Sequence, residues 1–140
     1  MKRNVIIDAS VLATLLNKND TYHQWAVTQL KDIQPPLLTC EAIISEVSFL
    51  IECKQQGIDV IFNYLKLGII ELPFCFSSEY VAIEKLMLKY ADVPISFADA
   101  CLVRMSEQHR NSCVFTLESD FLVYRKNNSE VIPLIYPDFK

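Results

Sequence analysis

At 140 residues with 51% hydrophobic content, the chain is long enough to bury one core and carries no stretch resembling a linker, so a single domain over residues 1–140 is expected. Its formal net charge of −4 argues against a broad basic surface that would grip nucleic acid non-specifically. No apolar run approaches the roughly 20 residues of a membrane helix, and the opening Met1-Lys2-Arg3 leads into a short run carrying Asp8, unlike a secretory segment; a cytoplasmic protein without membrane association is expected.

In chain order, Val5 to Ile7 predicts a short strand and Ser10 to Leu16 a helix. Asn17-Lys18-Asn19-Asp20 is a polar break before a helix over Tyr22 to Leu30, stopped by Pro35-Pro36. Leu37-Leu38-Thr39 is a brief strand, and Glu41 to Gln55 the longest helix, ended by Gly57; Ile58 to Leu67 is helical up to Gly68. Ile69 to Leu72 is a strand, Ser77-Ser78 caps a helix over Glu79 to Tyr90, and Pro94 separates it from a helix over Phe97 to Gln108. Val114 to Thr116 is a strand, Glu118 to Arg125 a short helix, and Val131 to Ile135 a last strand at a sheet edge, where Pro133 is tolerated. Strands separated by helices of this length predict a three-layer α/β/α sandwich with a mainly parallel sheet.

Five acids stand at the ends of apolar segments or among them: Asp8, Glu46, Asp99, Glu118 and Asp120. Keeping carboxylates beside buried strands is costly unless they share a cation or a proton. In parallel sheets ligands gather beyond the carboxyl ends of the strands, and Asp8 and the Glu118/Asp120 pair directly follow predicted strands. At about 100° per residue, Ile43, Ile44, Val47, Leu50 and Ile51 form an apolar stripe with Glu46 at its edge, whereas Glu41 and Glu52 lie opposite. Each acid also has a plainer reading. Asp8, Glu118 or Asp120 suits a helix cap, Glu46 a rim residue reaching water, and Ser96-Phe97-Ala98-Asp99 resembles a capping box. Four caps would not require a separate glutamate on the third helix, so the joint pattern favours a divalent-metal site.

Other chemistries are poorly supplied. Two glycines provide neither a P-loop nor a G-x-G-x-x-G turn. His23 and His109 are too few for a histidine-rich zinc site and read as surface residues. The cysteines (Cys40, Cys53, Cys75, Cys101, Cys113) are odd in number and contain no C-x-x-C, which reads as buried reduced thiols. Arg104, Arg110, Arg125 and Lys126 offer either a local phosphate track or ordinary solvated surface.

Four segments together resemble the PIN-domain ribonucleases. Ile6-Ile7-Asp8-Ala9-Ser10-Val11-Leu12 is similar to their D-[ST/A]-S-V-L opening, and Ser45-Glu46-Val47 to their helix-borne glutamate. Ser96-Phe97-Ala98-Asp99-Ala100 is similar to S-F-x-D-A, and Thr116-Leu117-Glu118-Ser119-Asp120-Phe121 to the closing T-x-D-x-D-F. Length and spacing look most like the toxin half of VapBC-type toxin–antitoxin pairs, or a single-domain relative of it. The resemblance implies a PIN-like fold and an acidic pocket holding Mg2+ or Mn2+ on Asp8, Glu46, Asp99 and Glu118, with Ser10, Ser96 and Thr116 in support. It further implies cleavage of RNA to a 5′-phosphate and a 3′-hydroxyl, a homodimer, and a small antitoxin protein as partner. Oxygen-only ligands suit these hard cations, which can activate water and stabilise a leaving oxygen. Glu118 stands where the family has aspartate, so either Glu118 or Asp120 fills that position. The Tyr22 to Leu30 helix with Trp25, and Phe74-Cys75-Phe76, are candidate partner surfaces or plain core. The main rival is a catalytically degenerate RNA- or protein-binding module. A phospho-receiver lacks support because Asp8 is followed by Ala9, and an aspartyl phosphatase because Asp8-Ala9-Ser10 is not D-x-D.

Overall fold

Strand β1 (Asn4–Ile7) lies at the centre of a five-stranded sheet because Val5, Ile6 and Ile7 are apolar on both faces and all three are buried. The computed structural model describes residues 2–52 and 55–138. Around β1 the strands run in the order β3 (Ile70–Glu71), β2 (Leu37–Leu38), β1, β4 (Ser112–Phe115) and β7 (Leu134–Ile135), every neighbouring pair parallel. Parallel neighbours need crossovers, and helices supply them: α1 (Ala9–Leu15), α2 (His23–Lys31), α3 (Glu41–Leu50), α4 (Gln55–Lys66), α5 (Phe76–Lys89) and α6 (Phe97–Gln108). The expected α/β sandwich with a mainly parallel sheet is the fold of the chain, and among the described residues no helix is long and apolar enough to cross a membrane.

Register positions the chemistry. Ile7 pairs with Phe115, so the residues that leave the two central strands, Asp8 and Thr116, emerge side by side although 108 positions apart in sequence. α6 packs against both of these strands and against α3 and α5, which brings the Asp99 turn and the Glu46 helix to the same end. α6 itself is nearly filled with buried side chains, Ala100, Leu102, Val103 and Met105 among them, so its orientation is set by the core.

Several boundaries differ from those the sequence predicts. The helix predicted over Glu41 to Gln55 ends at Leu50, because Glu52 takes a left-handed φ of 58°; residues 53–54 of that prediction, with Cys53, lie outside the described residues. Leu50 accordingly leaves the apolar stripe and is half exposed. Gly57 lies inside α4 instead of ending a helix. A β-carbon there would sit 2.6 Å from Ile51 Cδ1, so glycine permits the close approach of α4 to the turn after α3. α5 begins at Phe76 with Cys75 at its N-cap, and the hydroxyls of Ser77 and Ser78 meet the Cys75 sulfur instead of capping the helix. The helix predicted from Glu118 to Arg125 is a single 3-10 turn (Ser119–Leu122), after which β5 (Arg125–Lys126) and β6 (Glu130–Val131) form an antiparallel hairpin. The turn between them uses Asn127 and Asn128 at positive φ. The last predicted strand is therefore split: Glu130–Val131 serves the hairpin, and Leu134–Ile135 forms the sheet edge as β7, with the Pro133 carbonyl still accepting from the Val114 N–H at 2.9 Å.

Candidate active site at the strand ends

Asp8 is 2% exposed and is the best-held carboxylate of the group. It is the N-cap of α1, so its Oδ1 accepts the Ala9 N–H at 2.7 Å, satisfying one orphan donor of that helix. Its Oδ2 accepts from the Ser10 hydroxyl at 3.1 Å and from the Thr116 hydroxyl at 2.7 Å. Both hydroxyl oxygens then serve as acceptors: Ser10 Oγ for the Leu117 N–H at 3.1 Å, and Thr116 Oγ1 for the Glu118 N–H at 2.9 Å. Capping and site formation are the same act here, since one network ties the end of β1 to the loop after β4.

The remaining acids reach this network from helices and loops. Glu46, half-buried on α3, faces the site; Asp99 projects from the first turn of α6, where Ser96 Oγ accepts the Asp99 N–H at 3.0 Å. Ser96 thus supports the turn that carries Asp99 and, among the described residues, makes no hydrogen bond to the other acids. The reciprocal half of a capping box is not made; Asp99 Oδ2 instead accepts from the Tyr124 hydroxyl at 3.2 Å. Glu118 and Asp120 are exposed at the rim.

Electrostatics shows that the acids form one group. Burial pushes Asp8 above the ordinary carboxylate range and Glu118 adds to the rise, against hydrogen bonds from Thr116, Ala9 and Ser10. Glu46 is raised by burial, then by the charges of Asp8 and Glu118. Asp99 is pushed up to about 7, by burial first and then by Asp8, Glu46 and Asp120, with the Tyr124 hydrogen bond opposing. Burial and the neighbouring Asp99 and Asp120 raise the Tyr124 phenol, which therefore stays protonated and donates. Glu118 acts on the Asp8–Glu46 side and Asp120 on the Asp99 side, so both acids of the closing motif border the same charge cluster.

No basic side chain is paired with this charge among the described residues. The ion pairs found there are those of Arg104, to Glu79 at 2.6 Å and Glu107 at 3.2 Å, away from the cluster. Burying several carboxylates without a counter-charge is unfavourable, and a divalent cation relieves it. The donor set is oxygen only, the kind that Mg2+ and Mn2+ take. Among the described residues no three acids, cysteines or histidines are already gathered as a ready-made cage, so the fit rests on donor type and charge.

The suggested phosphate track is not assembled: Arg104 is occupied by two glutamates, Lys126 is buried, and Arg125 Nη1 donates to the carbonyls of Leu122, Val123 and Tyr124. Arg110 remains exposed. His23 is half-buried with Nδ1 2.8 Å from the Thr14 carbonyl, and His109 caps the end of α6. Cys40, Cys101 and Cys113 are buried and unbridged, whereas Cys75 is exposed, contrary to the expectation of buried thiols. Trp25 meets Phe115 edge-on at 5.6 Å and Phe74 is buried, so both belong to the core, while Phe76 remains 45% exposed. Tyr124 is a site residue with no mark in the sequence; its contact with Asp99 spans 25 positions and has no local signature.

The PIN domain family model matches residues 5–127, a span that contains every acid of the cluster. This chain belongs to the PIN-domain family. PIN domains are nucleases as a family, and the four sequence segments that resemble them meet at the strand ends of this PIN domain. The structure is similar to that of Mycobacterium tuberculosis VapC20, a sarcin-ricin loop cleaving toxin, with a TM-score of 0.73 over 93% of this chain and 100% of that one. Identity is 19%, so the likeness shows the fold. No curated protein matches the chain at a significant level.

Proposed function

We propose that this PIN domain, a single domain over the whole chain, is a Mg2+- or Mn2+-dependent endoribonuclease that acts in the cytoplasm as the toxin of a toxin–antitoxin pair. The observation that carries the reading is a group of carboxylates, Asp8, Glu46 and Asp99 with Glu118 and Asp120 beside them, raised first by burial and then by neighbouring acids, and no cationic side chain paired with them among the described residues. Asp8, Glu46, Asp99 and Glu118 would hold the cation, with Asp120 bordering it on the Asp99 side. When bound, the cation supplies water activation and charge stabilisation for in-line displacement at phosphorus.

The chain's own residues set the stage for that displacement. Thr116 and Ser10 fix the Asp8 carboxylate so that no reorganisation is needed when negative charge builds on the phosphate. Ser96 holds the first turn of α6 and with it Asp99. Products carrying a 5′-phosphate and a 3′-hydroxyl follow if the bond to the 3′ oxygen is the one broken. The fold shared with VapC20, a sarcin-ricin loop cleaving toxin, supports a structured RNA as substrate; a homodimer and a small antitoxin partner complete the proposal, as the resemblance to VapBC-type toxins implies.

Cleavage of labelled RNA and matched single-stranded DNA in Mg2+, Mn2+ and EDTA tests the proposal. RNA cut only with metal, yielding 5′-phosphate ends, is the expected result. Absence of cutting together with absence of metal binding would replace it with a degenerate binding module.

A further inference from the structure

Tyr124 has a core position and a site-facing hydroxyl. Its side chain is 1% exposed, and its ring is gripped edge-on by Tyr90 and Phe121, with centroids 5.3 Å away in both cases and interplanar angles of 67° and 85°. The Tyr90 hydroxyl accepts the Arg125 N–H at 2.8 Å, so the backbone next to Tyr124 is fixed as firmly as its ring. A phenylalanine would fill this space equally well. The hydroxyl adds one contact, donation to Asp99 Oδ2 at 3.2 Å.

That contact parallels the arrangement at Asp8, whose Oδ2 accepts hydroxyl bonds from Ser10 and Thr116. Among the described residues, Asp99 Oδ1 accepts no hydrogen bond. Outer partners of this kind orient a ligating carboxylate and tune its affinity. Asp99 is not part of the hydrogen-bond network around Asp8 and has no other side-chain bond among the described residues, so the phenol is its one orienting contact there.

We propose that Tyr124 is a positioning residue for the reaction: its hydroxyl fixes the Asp99 carboxylate through Oδ2 and leaves Oδ1 as the oxygen offered to the shared cation. This rests on the metal-nuclease reading above.

The test is Tyr124→Phe in the full chain, with Mn2+ affinity measured by calorimetry alongside thermal melting, kcat and KM for RNA. Mn2+ binding should weaken by roughly tenfold, kcat at low Mn2+ should fall and recover as Mn2+ is raised, and KM for RNA should stay unchanged. In an Asp99→Asn background the same change should have no further effect on Mn2+ affinity. Tyr90→Phe is the structural control: it loosens the hairpin and should lower the melting temperature while Mn2+ affinity holds. Unchanged Mn2+ affinity in Tyr124→Phe, or an equal loss in the Tyr90→Phe control, would overturn the positioning role. Wild-type protein that takes up no Mn2+ would overturn the metal-nuclease reading and this proposal with it.

Discussion

The two sides of the acid cluster are built differently. On the strand side, Asp8 is buried and receives three hydrogen bonds, from Ala9, Ser10 and Thr116, all within a network that continues to the Leu117 and Glu118 N–H groups. On the helix side, Glu46 is half-buried and Asp99 rests on the Tyr124 hydroxyl, while the side chains of Glu118 and Asp120 stand in solvent at the rim between the two sides. The strand side is preorganised by short backbone connections in the sheet; the helix side is linked to it mainly through charge. One rigid carboxylate and several adjustable ones suit a cation that must be held while substrate enters.

The largest expected effect separates the sides by removing the rigid one. Asp8→Asn should lower RNA turnover by at least roughly a hundredfold in single-turnover assays, because no other carboxylate can take its place in the hydrogen-bond network. Asp99→Asn should also lower turnover strongly, but it carries a distinct stability signature. The Asp99 pKa rises from 3.8 to about 7 on folding, so the folded protein holds that proton more tightly than the unfolded chain. Its contribution is complete below the unfolded value and is lost as pH rises toward 7 and above. Metal-free wild-type protein should therefore lose about 1–3 kcal/mol of stability across that window, and Asp99→Asn should flatten the loss in denaturant titrations at stepped pH. A wild-type profile without this slope would show that Asp99 is not held buried beside other acids.

Thr116→Val probes the link within the strand side. It leaves Asp8 short of its closest hydroxyl donor and the Glu118 N–H without its acceptor, which should cost about 1–3 kcal/mol in chemical denaturation and reduce turnover less than Asp8→Asn does. Smallest should be the rim acids. Glu118→Ala should weaken turnover by roughly tenfold or less, consistent with an exposed ligand of modest worth, and Asp120→Ala by less still. Equal or reversed effects would move the fourth acidic position to Asp120.

Much of this contrast is legible in the amino-acid sequence. Asp8, Glu46, Asp99 and the Glu118/Asp120 pair each sit in a short segment whose residue types are distinctive, and apolar runs such as Val5 to Ile7 reveal which of them end buried strands. Three features are not legible there. The break after Leu50 depends on a left-handed residue, Glu52, that carries none of the glycine or asparagine signal for that conformation. The β5–β6 hairpin has strands of two residues, too short for alternation to register, and only the Asn127-Asn128 turn dipeptide marks it. Tyr124 meets Asp99 because Tyr90 and Phe121 hold its ring and β5 lies against α6, and long-range packing of this kind leaves no local periodicity.

The central claim is that these carboxylates share a divalent cation, and thermal melting of wild-type protein and Asp8→Asn across a Mn2+ titration tests it most directly. A ligand that binds only the folded state raises stability with its concentration, so the wild-type melting temperature should climb with Mn2+ and that of Asp8→Asn should stay nearly flat. A wild-type melting temperature indifferent to Mn2+, or an equal rise in both proteins, would contradict the account.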